Sequence, residues 1–196
     1  MTSPTELPGL HHYLRRRQSA MVKLLGELVR IESPSTDNAA LERLARFLAR
    51  EWRRRGARVR LLRPRGHAPI LRAELLLGRG RPQGQILVLG HFDTVYEPGT
   101  LKRTPFRIRA GRAYGPGTVD MKSGLVQALF AVDALAALGL HPLCKLVFLF
   151  SSDEEVGSAA GRPVIEKEAR RSRAVLVLEP ASGLTGALKT ARKGVG

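Results

Sequence analysis

The chain has 196 residues, enough for one well-buried domain, and its 43% hydrophobic share excludes disorder by composition. Its 33 basic residues, 26 of them arginine, against 17 acidic ones leave a formal charge of +16, but they are scattered over helix faces and loops with few aromatics between them. Solvated faces explain that scatter better than a nucleic-acid partner does. No run of 18 uncharged apolar residues is present, so no membrane-spanning helix is expected. The first twenty residues carry no apolar signal core, and Cys144 is the only cysteine; together these point to a reducing, cytoplasmic setting.

In chain order, Gln18 to Ile31 places Met21, Leu24, Leu25, Leu28 and Val29 at helical spacing and predicts an amphipathic helix. Ser33-Pro-Ser-Thr-Asp37 breaks it and supplies a cap for a second helix, Asn38 to Arg55, which Gly56 closes. Arg58 to Leu62 and Ile70 to Leu77 read as strands. Ile86 to Leu89 is a short branched run between Gly84 and Gly90, a buried strand that ends at His91 and Asp93. A loop follows, then a short strand at Phe106 to Ile108. The glycine- and proline-rich Tyr114 to Gly124 loop presents Asp120 before an almost wholly apolar helix, Met121 to Leu138. Cys144 is expected to be buried where the next strand, Lys145 to Ser151, begins; that strand ends in Asp153-Glu-Glu155. A helix is predicted from about Ala159 to Arg171, with Pro163 limiting its start, and a last strand, Ala174 to Leu178, ends in Glu179.

Three strands thus deliver acids or an imidazole at their carboxyl ends, where open α/β sheets place their binding crevice. Seven of the 17 acidic residues lie in or beside these stretches. His91, Asp120, Glu155 and Glu179 have ligand character; nitrogen with carboxylate oxygen suits zinc or a related divalent ion at a catalytic centre. Asp93, two residues along an extended chain from His91, is placed to hold its imidazole. Of two adjacent glutamates, Glu155 is assigned to the metal and Glu154 to general-base work. His141 lies at the far end of its strand, and His11, His12 and His67 have no reason to converge on the site.

Gly90-His-Phe-Asp-Thr-Val95, Tyr114-Gly-Pro-Gly-Thr-Val-Asp-Met-Lys-Ser-Gly124, Ser152-Asp-Glu-Glu-Val-Gly-Ser158 and Leu178-Glu-Pro180 together resemble the two-zinc exopeptidase and amidohydrolase family. That family includes glutamate carboxypeptidase, aminoacylase, acetylornithine deacetylase and succinyl-diaminopimelate desuccinylase. The resemblance implies an α/β catalytic domain, a mostly parallel sheet with helices on both faces. It also implies His91, Asp120 and Glu179 on one zinc, with Asp120 bridging to a second zinc held by Glu155. Asp93 would orient His91, Glu154 would shuttle protons, and the peptide bond after Asp120 would be cis. Implied substrates are peptides or N-acyl amino acids, with the glutamate carboxypeptidase branch nearest. The Thr190-Ala-Arg-Lys-Gly194 segment resembles that branch, and Arg192 or Lys193 could meet a substrate carboxylate. Family members are roughly twice as long: a lid or dimerisation domain, which makes them homodimers, and a later histidine ligand have no counterpart here. Residues 1–196 therefore read as the N-terminal part of the catalytic domain, with an impaired second metal site. The rival readings are an N-acyl-amino-acid deacylase and a truncated, non-catalytic chain that binds one metal.

Overall fold

The computed structural model describes residues 6–78 and 80–181. Strands β1 (Arg58–Leu62), β2 (Ile70–Leu75), β3 (Gln85–His91), β6 (Lys145–Ser151) and β7 (Ala174–Val177) form one sheet in the order β1-β2-β6-β3-β7. β4 (Arg107–Arg109) and β5 (Arg112–Tyr114) form a separate hairpin. Parallel pairing is confined to β6-β3-β7, while β1-β2 and β2-β6 run antiparallel. The parallel half is the half that matters for the site, because all three of its strands finish at the same end.

Helices cover both faces. On one side α1 (Glu6–Val29), α2 (Asn38–Arg54) and α4 (Ser123–Ala137) pack on the sheet through Leu28, Leu44, Leu48, Leu125 and Leu129, none of them exposed. Trp52 closes this core, its ring 4.0 Å from that of Phe148. A side chain of that size at the centre of a core is worth about 3–5 kcal/mol against alanine. On the other side α5 (Arg162–Arg170) sets Val164, Ile165 and Ala169 against Ile70, Leu87, Val147 and Leu149.

The caps follow the chemistry of the sequence. Asp37 accepts the Ala40 N–H at 2.9 Å and starts α2, and Gly56 at φ 80° stands just beyond its end. Pro163 sits in the first turn of α5, where a missing N–H costs nothing.

Several boundaries differ from expectation. α1 begins twelve residues before Gln18, since the polar residues ahead of the apolar stripe still propagate a helix already anchored by packing. β2 stops at Leu75 rather than Leu77. The short α3 (Thr100–Arg103) and strand β5 carry no apolar period of their own. The apolar helix does not start at Met121: Thr118–Lys122 is a kinked turn in which Asp120 and Met121 leave helical geometry, and α4 follows. Cys144 is half-buried rather than buried, with Sγ 3.3 Å from the Gln83 carbonyl. No helix of the described residues is long and apolar enough to cross a membrane.

Candidate metal centre

Register brings the site together. β3 and β6 pair so that His91 stands opposite Ser151, and the Phe92 N–H donates to the Ser151 carbonyl at 3.0 Å, which sets Asp93 beside the Asp153-Glu155 turn. On the other flank the Leu178 N–H donates to the Leu89 carbonyl at 3.0 Å, so Glu179 follows at the level of His91. Asp120 arrives from the kinked turn, and its peptide bond to Met121 is cis. Met121 is wholly buried against Gly90, its sulfur 3.2 Å from the His91 backbone nitrogen.

Glycines make these approaches possible. Gly117 is left-handed at φ 67°, and a Cβ there would come within 2.6 Å of the Thr94 methyl. At Gly124, on the first turn of α4, a Cβ would lie 2.4 Å from the Leu178 carbonyl oxygen, so only glycine lets the end of β7 reach the site.

His91 Nε2 lies 3.1 Å from Asp120 Oδ1 and 3.4 Å from Glu179 Oε1. One ligand atom from each of these three residues falls within 4.8 Å of the others, the one such trio of His, Cys, Asp or Glu among the described residues. Glu154 stands across the opening with Oε2 3.8 Å from the same ring nitrogen, and its side chain is half-exposed. Glu155 is outside the trio, though near enough for the Asp120 charge to act on it. His141 lies beside Gly78, at the opposite end of the sheet. The Arg192–Lys193 pair falls outside the described residues.

Asp93 does more than face the imidazole. His91 Nδ1 is 3.1 Å from its carbonyl and 3.3 Å from its carboxylate, which leaves Nε2 directed at the trio. The same carboxylate accepts the Glu154 N–H at 3.2 Å and the Glu155 N–H at 3.1 Å, capping the turn that carries both glutamates. Its Oδ2 also accepts the Ser35 hydroxyl at 2.7 Å. Ser35 is held in turn by its N–H to the Thr94 carbonyl at 3.1 Å. Asp153 braces the turn from below by accepting the N–H groups of Ala160 and Gly161 at 2.7 and 3.1 Å.

Lys122 is buried behind Asp120, and its ammonium donates to the Leu28 and Ile31 carbonyls at 3.2 and 2.9 Å, tying the turn to the end of α1. Burial pushes its pKa down to about 7, with the Glu32 charge opposing. Neither Ser35 nor Lys122 is marked by local pattern; each acts through contacts more than fifty residues distant along the chain.

The electrostatics suit a cation. Burial alone would lower the His91 pKa, but the Asp93 hydrogen bond and charge, with Glu179 and Glu154, raise it to about 9. Burial would raise Asp93, yet the hydrogen bonds from His91 and Ser35 hold its carboxyl below the usual range. Burial pushes Glu179 up; the His91 charge opposes this, while Asp120 and Glu154 add to it. Glu155 is raised by burial and then by Asp120. Acids that crowd one another around an imidazole gain from a shared positive charge, and one nitrogen with two carboxylate oxygens is a donor set that fits zinc. Two clefts, each about 210 Å³, share Tyr96 in their walls; one reaches Asp120, the other Ser35 and Glu155.

The chain is 34% identical over 167 residues to carboxypeptidase G2 of Pseudomonas sp. (strain RS-16), covering 84% of this chain and 40% of that protein. It is 38% identical over 112 residues to the acetylornithine deacetylase of Edwardsiella ictaluri (strain 93-146), covering 55% of this chain and 28% of that protein. Among solved structures, human carnosine dipeptidase 1 superposes with a TM-score of 0.74 at 24% identity, over 89% of this chain and 43% of that one. The metallo-carboxypeptidase Sso-CP2 of Sulfolobus solfataricus gives 0.70 at 22%, over 85% and 38%. The chain therefore spans less than half the length of the proteins it matches. Residues 87–190, more than half of the chain and the stretch holding every residue of the trio, match the family described as Peptidase family M20/M25/M40, and to that family the chain belongs.

Proposed function

We propose that residues 1–196 form the metal-holding part of the catalytic domain of a zinc-dependent hydrolase that cleaves an amide bond beside a free carboxylate. The observation that carries this is the convergence of His91, Asp120 and Glu179 within 4.8 Å, with Glu154 across the opening. In this reading those three residues hold one cation. Asp120 and Glu155 would hold a second, the Asp120 charge acting on the Glu155 carboxyl. A divalent cation bound there supplies Lewis acidity toward the scissile carbonyl and makes water more acidic. The work of the chain itself is positional and protonic. Asp93 holds Nδ1 of His91 and so turns Nε2 to the cation side. Glu154, at the mouth with its backbone fixed by Asp93, takes the proton of the attacking water on a carboxylate oxygen and passes it to the departing amine. The carboxypeptidase assignment draws support from the match to carboxypeptidase G2, and the second reading, an N-acyl-amino-acid deacylase, from the match to acetylornithine deacetylase.

The test measures zinc content after dialysis and hydrolysis of a C-terminal glutamyl peptide and of an N-acetyl amino acid, for the chain and for Glu154→Gln. The reading expects both proteins to keep zinc and the variant to lose about 10²–10⁴-fold in turnover. Preference for the acetylated substrate would favour the deacylase. Zinc retention with no turnover of either substrate would reduce the chain to a metal-binding unit, and equal turnover by both proteins would remove Glu154 from the mechanism.

A further inference from the structure

Away from the trio, a cavity of about 680 Å³ opens between α2, the end of α1 and α3. Arg43, Arg46 and Arg50, spaced three and four apart, line it with one face of α2, and Arg30 and Lys102 face them from the other wall. Its one acid, Glu32, is already occupied: its carboxylate accepts the N–H groups of Gly99 and Leu101 at 2.9 and 2.8 Å. Arg46 is paired with Glu42 at 2.6 Å, whereas Arg30, Arg43, Arg50 and Lys102 form no ion pair among the described residues. The guanidinium groups of Arg30 and Arg50 lie 5.5 Å from the ring centres of Phe106 and Phe47, which limits their freedom before anything binds. Phe47, Ile31 and Leu101 supply an apolar wall.

We propose that this cavity binds a compact polyanion of the polyphosphate class, inorganic or carried by a nucleotide. Five cations around one small volume, set against the charge of Glu32 and the Glu42 partner of Arg46, leave a net positive field that a dispersed charge cannot match. Guanidinium groups meet phosphate oxygens in pairs of parallel hydrogen bonds, and the volume is that of a small-molecule site rather than of a protein interface. The proposal is independent of the hydrolase reading, since no residue of the cavity belongs to the trio or touches Glu154.

The experiment uses the whole chain, stripped of metal by a chelator that is then dialysed away, so that phosphate cannot bind through a cation. Calorimetric titrations with tripolyphosphate and with ATP are run on the chain, on Arg43→Gln/Arg50→Gln, and on Arg15→Gln/Arg16→Gln. The last removes the same charge from an exposed stretch of α1. Circular dichroism confirms the fold of each variant; all four substituted residues are exposed, which spares the core. The expected result is saturable one-to-one binding, weakened about tenfold or more by the cavity variant and less than about twofold by the α1 variant. ATP tighter than tripolyphosphate would identify the nucleotide as the form bound, with its base on the Phe47 wall; equal affinity would identify the phosphate chain alone. Absence of saturation, or equal weakening in the two variants, would overturn the proposal, leaving only the diffuse attraction of a +16 chain.

Discussion

The carboxylate of Asp93 accepts the backbone N–H of Glu155 at 3.1 Å, so the residue that orients the histidine also fixes the turn carrying both glutamates. Asp93→Ala is expected to remove the hold on His91 and the cap of that turn together. Zinc affinity should fall about 10–100-fold, as for other residues that support a metal ligand. Competition with a chromogenic chelator measures this. Ser35→Ala, which removes one of the Asp93 hydrogen bonds while leaving the others, should move affinity in the same direction by less.

Gly124→Ala opposes two effects. Alanine within a helix gains up to about 1 kcal/mol over glycine. Here its Cβ would sit 2.4 Å from the Leu178 carbonyl, a backbone atom that yields only if the end of β7 moves, and overpacking of this kind costs about 1–3 kcal/mol. The clash should win. Urea unfolding is expected to show a lower midpoint, and zinc affinity should fall with it because Glu179 is the next residue along.

Lys122→Met keeps length and burial but removes the donor to the Leu28 and Ile31 carbonyls. Two carbonyls at the end of α1 then lose their partner, a loss of about 1–3 kcal/mol in stability. At pH 6 relief of the buried ammonium offsets this loss, because the lowered Lys122 pKa makes the charged form costly in the folded protein; the deficit of the variant should therefore be larger at pH 9 than at pH 6, and denaturant titration at both values checks it.

A pH effect is expected where α2 meets the segment after β1. Hydrogen bonds from Arg63 pull the Glu42 carboxyl down to about 2; burial opposes them and Arg46 assists. A carboxyl lowered in the folded protein stabilises it above the ordinary value of 4.5, and that contribution disappears as pH falls toward 2. Arg63→Gln should therefore lower the unfolding midpoint slightly at pH 6, because water screens so exposed a partner, and the gap to the parent should narrow between pH 4.5 and 3.

What could be read from the chain alone followed the range of the interactions. Strand ends were legible because branched runs are local, and a shared end of a parallel sheet converts three of them into one site; β3, β6 and β7 begin where the apolar runs at Ile86, Lys145 and Ala174 predict, or within a residue. The Asp37 cap was equally local. The Ser35 hydroxyl on Asp93 and the Lys122 ammonium on α1 were not, since a serine in a loop and a lysine after an aspartate look alike whether solvated or buried. The kink at Asp120 and Met121 escaped periodicity for a related reason: the apolar pattern runs straight through a turn whose backbone is not helical. Strand β5 is held by its pairing with β4, and nothing in Arg112-Ala-Tyr114 announces that partner.

The two neighbours of His91 are unequal. β3 is enclosed by β6 on one side, whereas among the described residues β7 pairs only with β3, and all four of its residues are exposed. Local opening should therefore begin at the outer strand, below the free energy of global unfolding, and amides of Val175 to Val177 should exchange with deuterium ahead of those in Leu87 to Leu89. The trio comes apart in a fixed order, with the glutamate at its rim departing while the imidazole and its support stay in place.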